Sequence, residues 1–252
     1  MEELHVTSPE VGPSSLERAL LILEACANQG AATSVSAITR ATGIPKSSVH
    51  RLCWILTRLG ALTATKGGFT IGVRVLALGG SNPWLRFLRT ETAPVLHTLA
   101  ATTGLVGNLA ILAGTEVVIV DEVFTSERGV PKEVGRRLPL HASAIGKALL
   151  MGRSRAEVDR ILGAAELDAV TTSTILDRDE LWAQLESAAE RGFVVSEGEW
   201  RPGRFGVAAP VVSNGHTVAS VGLIGLIATS SPDGVGDIIR SAALDISARL
   251  AG

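Results

Sequence analysis

The sequence predicts an α+β fold in two domains, and three observations carry that prediction. Helical patterns and a short hairpin pattern crowd into the first third of the chain. The run "GGSNP" at 79–83 then interrupts it with glycines and a proline. Beyond it, β-rich runs mix with helical ones and a helical run closes the chain, as expected of an antiparallel sheet with helices before and after it. Length agrees, since 252 residues is comfortable for two domains. With 46% hydrophobic and 19% charged residues, and a mean hydropathy of +0.33, a packed core is expected rather than general disorder.

The elements of the first domain follow in order. Ser15 to Asn28 places Leu16, Ala19, Leu20, Leu23 and Ala27 at helical spacing, with Ser14 or Ser15 as the cap. "SAITRATG" is a short helix with Ser36 as its expected N-cap and Gly43 as its stop. Pro45 stands where the first turn of a new helix tolerates it. In that helix Val49, Leu52, Cys53 and Leu56 form the core stripe, and Lys46, Ser47, His50, Arg51 and Arg58 project elsewhere. "ALTAT", "KGG" and "FTIG" then read as two strands around a glycine turn with Lys66 at its tip. Together these elements make a winged helix-turn-helix over 13–80, with helical spacing resuming from Val73 to Leu78.

That arrangement suits double-stranded DNA. A helix fits the major groove, and amides and small hydroxyls at its start can meet phosphates. The expected contacts are Ser36, Lys46, Ser47, Ser48, His50 and Arg51, with Lys66 on a flanking phosphate or minor groove. The whole chain carries a net charge of −2, but residues 11–80 hold seven Lys/Arg against two acids, whereas the chain from Ser81 onward holds 16 against 20. The basic share supplies the salt-dependent attraction that DNA binding needs.

A helix over 81–103, broken or kinked at Pro94, is expected to link the domains. The second domain, 104–252, takes strands at "LVGNLAIL", "TEVVIVDEV", "FVVSEGEW", "FGVAAPVVS" and "TVASVGLIGLIA". A turn leads into a helix in "LPLHASAIGKALLM", and further helices are at "SRAEVDRILG", "RDELWAQLESAAERG" and the closing "DGVGDIIRSAALDISARLAG". In "LPLHASAIGKALL" Ser143 is available as a helix cap. Free amides near Ser143, Ala144 and Ile145 would make an anion site if they face a cavity; an ordinary capped helix against a sheet is the alternative. Leu16, Leu20, Leu23, the Val73 to Leu78 segment, Trp84 and Leu85 form an apolar set suited to a homodimer. Two reading helices would then stand about 34 Å apart.

Enzyme chemistry finds little footing. Gly146-Lys147 lacks both the following Ser/Thr and the first glycine of a phosphate-binding loop. No G-x-S-x-G occurs, and the five histidines and two cysteines show no metal spacing. Asp121 and Glu122 at a strand end, or His141 as a base, keep a metal-using or small-molecule enzyme open as an alternative. No cofactor and no metal is expected. Two cysteines fit a reducing compartment, the acidic, proline-broken start is no signal peptide, and the apolar runs fall short of the roughly 20 residues of a membrane span. A cytoplasmic protein with no membrane partner is expected.

The residues "RALLILEAC", "ATGIPKSSVHRL", "GFTIGVRVLALG", "LPLHASAIGKALL", "AERGFVVSEGE" and "GVAAPV" together resemble the IclR family of bacterial transcriptional regulators, from about Pro13 to Ala251. The resemblance implies a winged helix-turn-helix, a linker helix and a GAF-like effector-binding domain, in dimers that pair further in many members. It implies regulation, more often repression, in response to a small organic acid or aromatic metabolite. Family pocket positions fall on Val130, Leu138, Ala144, Ile145, Ser196, Arg204, Gly206, Gly222 and Ile224. This sequence departs from the family at four of them. Gly206 stands for a frequent cysteine, Ser196 for an acid, and Gly222 and Ile224 for serines. An apolar cavity with room left by two glycines is therefore expected, better fitted to a hydroxybenzoate than to glyoxylate.

Overall fold

The computed structural model describes residues 13–28, 31–124 and 134–251, and the chain divides into two units after Pro83. The first unit contains helices α1 (Ser15–Asn28), α2 (Val35–Thr42) and α3 (Lys46–Arg58). A hairpin of β1 (Leu62–Thr65) and β2 (Gly68–Ile71) follows, and then α4 (Val73–Gly80). As the helical period requires, α3 buries Val49, Leu52, Cys53 and Leu56, which pack with Ile22, Ile38, Leu62 and Phe69.

Two local expectations are corrected here. The N-cap of α2 is Ser34, not Ser36: Ser34 has extended backbone and its hydroxyl accepts from the Ala37 amide. Ser36 sits in the helix's first turn and is exposed. In α1 the inward face is Ile22, Ala25 and Cys26, while Leu16, Leu20 and Ala27 point to solvent and Leu23 is half-buried. The Gly43 stop is in place, left-handed at φ 68° with its N–H donating to Thr39.

The hairpin is wider than two strands. Thr33 pairs with Phe69 through N–H···O bonds of 2.9 and 3.0 Å. Gly68 makes this approach possible, because at φ 135° a Cβ there would fall 2.2 Å from the Thr33 carbonyl oxygen.

The second unit is one antiparallel sheet between two helical layers. Its strands are β3 (Val106–Ala113), β4 (Glu116–Val123), β5 (Arg137–Pro139), β6 (Val194–Glu197), β7 (Arg204–Ser213) and β8 (His216–Leu226), in the order β5-β4-β3-β8-β7-β6. Helices α5 (Pro83–Thr103) and α9 (Val235–Ala251) cover one face, meeting Leu109, Val207, Val221 and Leu223. On the other lie α6 (Ala144–Leu150), α7 (Arg155–Leu162) and α8 (Arg178–Arg191). The strand period of two sorts β8 between them: Ala219, Val221 and Leu223 go to the first core, whereas Ser220 donates to the Ile145 carbonyl of α6.

Helix α5 runs on through Pro94, so the expected break is absent. The amide that proline lacks frees only the Thr90 carbonyl, and Thr90 is exposed to water. Leu88, Val95, Leu96 and Leu99 seat the helix on the sheet, so it is built into the second unit. No helix of the described residues is long and apolar enough to cross a membrane.

Candidate nucleic-acid interface and ligand cavity

On α3, Lys46, Ser47, His50 and Arg51 are exposed and Ser48 is half-buried. The four-residue steps 46-50-54-58 and 47-51 gather them with Trp54 and Arg58 on one outward stripe. Ser36 and Lys66 are also exposed, on α2 and in the hairpin turn. The first turn of α3 holds Lys46 and no acid, so its positive dipole end is left for an external anion such as a phosphate.

Trp54 is a member of this surface that the sequence reading missed. Its indole N–H donates to His50 Nε2 at 3.2 Å, and its ring stands edge-on to Phe69 of β2 at 5.8 Å. An indole nitrogen can only donate, so His50 Nε2 accepts, and the neutral ring carries its proton on Nδ1. His50 therefore offers an outward reader an N–H donor. A tryptophan four residues after a histidine on a polar helix face was the available signal.

In the second unit a cavity of about 50 Å³ opens between the start of α6, strands β7 and β8, and the 198–201 segment. Eight of the expected residues line it: Leu138, Ser143, Ala144, Ile145, Ser196, Arg204, Gly206 and Ile224. Gly198, Glu199, Trp200, Arg201, Phe205 and Leu223 complete the wall. Val130 lies outside the described residues. Gly222 is not in the wall, and the expectation that glycines make room is corrected. A Cβ at Gly222 would fall 2.4 Å from Ile145 Cγ2 and 2.8 Å from Asn108 Oδ1, and one at Gly206 would lie 3.1 Å from Ala144 Cβ. These glycines let α6 approach the sheet.

Ser143 caps α6. Its hydroxyl accepts from the Gly146 amide at 3.2 Å and donates to the Pro139 carbonyl at 3.1 Å. Among the described residues the Ala144 and Ile145 amides have no acceptor. Arg204 is half-buried in the wall and makes no ion pair among the described residues. Glu199, the one acid among the described wall residues, is held by Lys147 of α6, whose Nζ lies 2.6 Å from each carboxylate oxygen and 2.5 Å from Gln184 Oε1. Burial pulls the Lys147 amine below its ordinary pKa, and Glu199 opposes that shift.

The residues kept open for enzyme chemistry are otherwise engaged. His141 is buried with Nε2 at 3.0 Å from the Asp168 carbonyl oxygen. Asp121 pairs with Arg89 at 3.3 Å. Burial raises both thiols, Cys53 to about 11 with a smaller push from Cys26, so each acts as a small apolar group. No cluster of three metal-ligating side chains occurs among the described residues.

The model of the family described as "Bacterial transcriptional regulator IclR C-terminal" matches residues 86–248, and the IclR helix-turn-helix domain matches residues 15–65. The chain belongs to the IclR family. It is 30% identical over 246 residues to the HTH-type transcriptional repressors AllR of Salmonella typhimurium and Escherichia coli K12, covering 95% of this chain and 90% and 91% of theirs. Among solved structures it is similar to an IclR homologue from Microbacterium hydrocarbonoxydans complexed with 4-hydroxybenzoate. That match has a TM-score of 0.79 and 25% identity over 94% of this chain and 99% of the other. It is also similar to the C-terminal domain of the E. coli transcriptional regulator KdgR, with a TM-score of 0.59 and 26% identity over 66% of this chain and 99% of that domain. As an IclR-type protein, the chain is a DNA-binding transcriptional regulator and not an enzyme, which removes the enzyme alternative.

Proposed function

We propose that the chain is a cytoplasmic, homodimeric repressor of a catabolic operon that responds to an aromatic monocarboxylate such as a hydroxybenzoate. The observation that carries the ligand reading is one apolar cavity with Arg204 and the unfilled amides of Ala144 and Ile145 in its wall. An apolar slot with a few polar groups orients a small ligand, and a guanidinium can take a carboxylate through two parallel hydrogen bonds. The 4-hydroxybenzoate complex of the Microbacterium homologue supports the same class.

In the first unit, Lys46, Ser47, Ser48, His50 and Arg51 enter the major groove, while Ser36 and Lys66 meet phosphates. Exposed Leu16, Leu20, Val73 and Leu76 join two copies on a pseudo-palindromic site, and pairing of dimers extends the assembly. Effector binding shifts the population between DNA-competent and released states.

Calorimetry against benzoates and short 2-oxo acids tests the ligand. Binding of 4-hydroxybenzoate, weakened at least tenfold by Arg204→Gln, is the expected result, a charge-assisted contact being worth on the order of 1.5–3 kcal/mol. Binding of the short acids alone overturns the aromatic reading.

A further inference from the structure

Glu199 is an awkward residue for a cavity that takes anions. It is the one acid among the described wall residues, and it is 5% exposed. An ionised carboxylate there would repel a carboxylate ligand, the more strongly because burial lowers the effective dielectric. Lys147 changes this. It is wholly buried, belongs to α6 and is not part of the wall. Its three N–H donors are all used, two on the Glu199 oxygens and one on Gln184.

Position 199 is fixed through its backbone as well. Thr171 and Thr174 hydroxyls donate to the Glu199 carbonyl at 3.2 and 2.9 Å, and Thr171 donates to that of Gly198 at 2.8 Å. The backbone holds position 199 at the wall, and Lys147 meets the carboxylate where it stands.

We infer that Lys147 is a specificity-determining positioning residue of the effector site. By neutralising Glu199 from behind the wall, it leaves the wall arginines Arg201 and Arg204 to set the field and makes the cavity select anions over neutral isosteres. This rests on the ligand reading above, since it concerns the same cavity.

The test compares binding of 4-hydroxybenzoate with that of neutral 4-hydroxybenzamide, and of pyruvate with pyruvamide. Wild-type protein, Lys147→Gln, Glu199→Gln and the double variant Lys147→Met/Glu199→Leu are measured by calorimetry. Lys147→Gln should shrink the acid-to-amide affinity ratio roughly tenfold, the size of effect expected from one uncompensated charge nearby, with amide binding kept. Glu199→Gln should keep or raise the ratio, and the double variant should restore it. Loss of a folding role alone would move acid and amide together in every variant.

Should Lys147→Gln fail to fold, the other two variants still decide, because a ratio lowered by Glu199→Gln or by the double change overturns the inference. A wild type that binds only the short pair overturns the aromatic reading, and the charge inference is then read on that pair. Binding of neither pair overturns both.

Discussion

Single residues carry the proposed base reading. Arg51 stands on the outward stripe of α3 opposite Val49 and Leu52. Arg51→Ala should weaken operator binding by about 1–3 kcal/mol and relax base preference at one position, measured by fluorescence anisotropy on operator variants. Lys66→Ala should weaken all sequences alike and lower the salt slope by about one. Trp54→Phe keeps the ring against Phe69 but removes the donor that fixes His50. It should lower affinity severalfold, and it should add little to His50→Ala in a double-mutant cycle, because both changes remove one coupled unit. Full additivity of the two would separate Trp54 from the reading surface. The periodicity of 46–58 made this face legible in the sequence, since polar and apolar positions fall on opposite sides of one helix. The Trp54–His50 bond was not, because spacing tells which residues share a face and not which of them touch.

Elements place those residues, and here local signals and long-range packing diverge. The hairpin was legible from its glycine turn, but its third strand is a single residue, Thr33, too short to show any alternation. Ser34 and Ser36 are both good caps by type, and only the extended backbone at 34 separates them. Gly222 shows the larger gap. Its absent side chain reads as space in sequence and is filled by Ile145 and Asn108 in the fold. Lys147 and Glu199 meet across 52 residues, where no spacing rule reaches. Gly222→Ala should therefore lower stability by about 1–3 kcal/mol in thermal or denaturant unfolding, since an added methyl must push α6 off the sheet. An unchanged melting temperature would contradict the close docking of α6.

At the scale of the whole molecule, the first unit turns aliphatic side chains to solvent that its own core does not use. Leu16 is 84% exposed, Val73 78% and Leu76 74%, side chains that an interface between two copies would cover. Light scattering at micromolar concentration should give at least a dimer, and Leu76→Glu with Leu20→Glu should shift it toward monomer and cost operator affinity. The α+β class and the helix-turn-helix were readable from local period, and the IclR membership from the resemblance of several motifs, in order, to that family. Ligand identity was not, because it depends on which side chains converge from α6, β7, β8 and the 198–201 segment. The most direct test of a regulator that joins DNA reading to acid sensing is one titration. Fluorescently labelled DNA from beside the protein's own gene is bound at fixed protein concentration, and 4-hydroxybenzoate is added while anisotropy is followed. Saturable release by the acid, absent with 4-hydroxybenzamide and with Arg204→Gln, is the result predicted. DNA binding that ignores every benzoate across its soluble range would contradict the account.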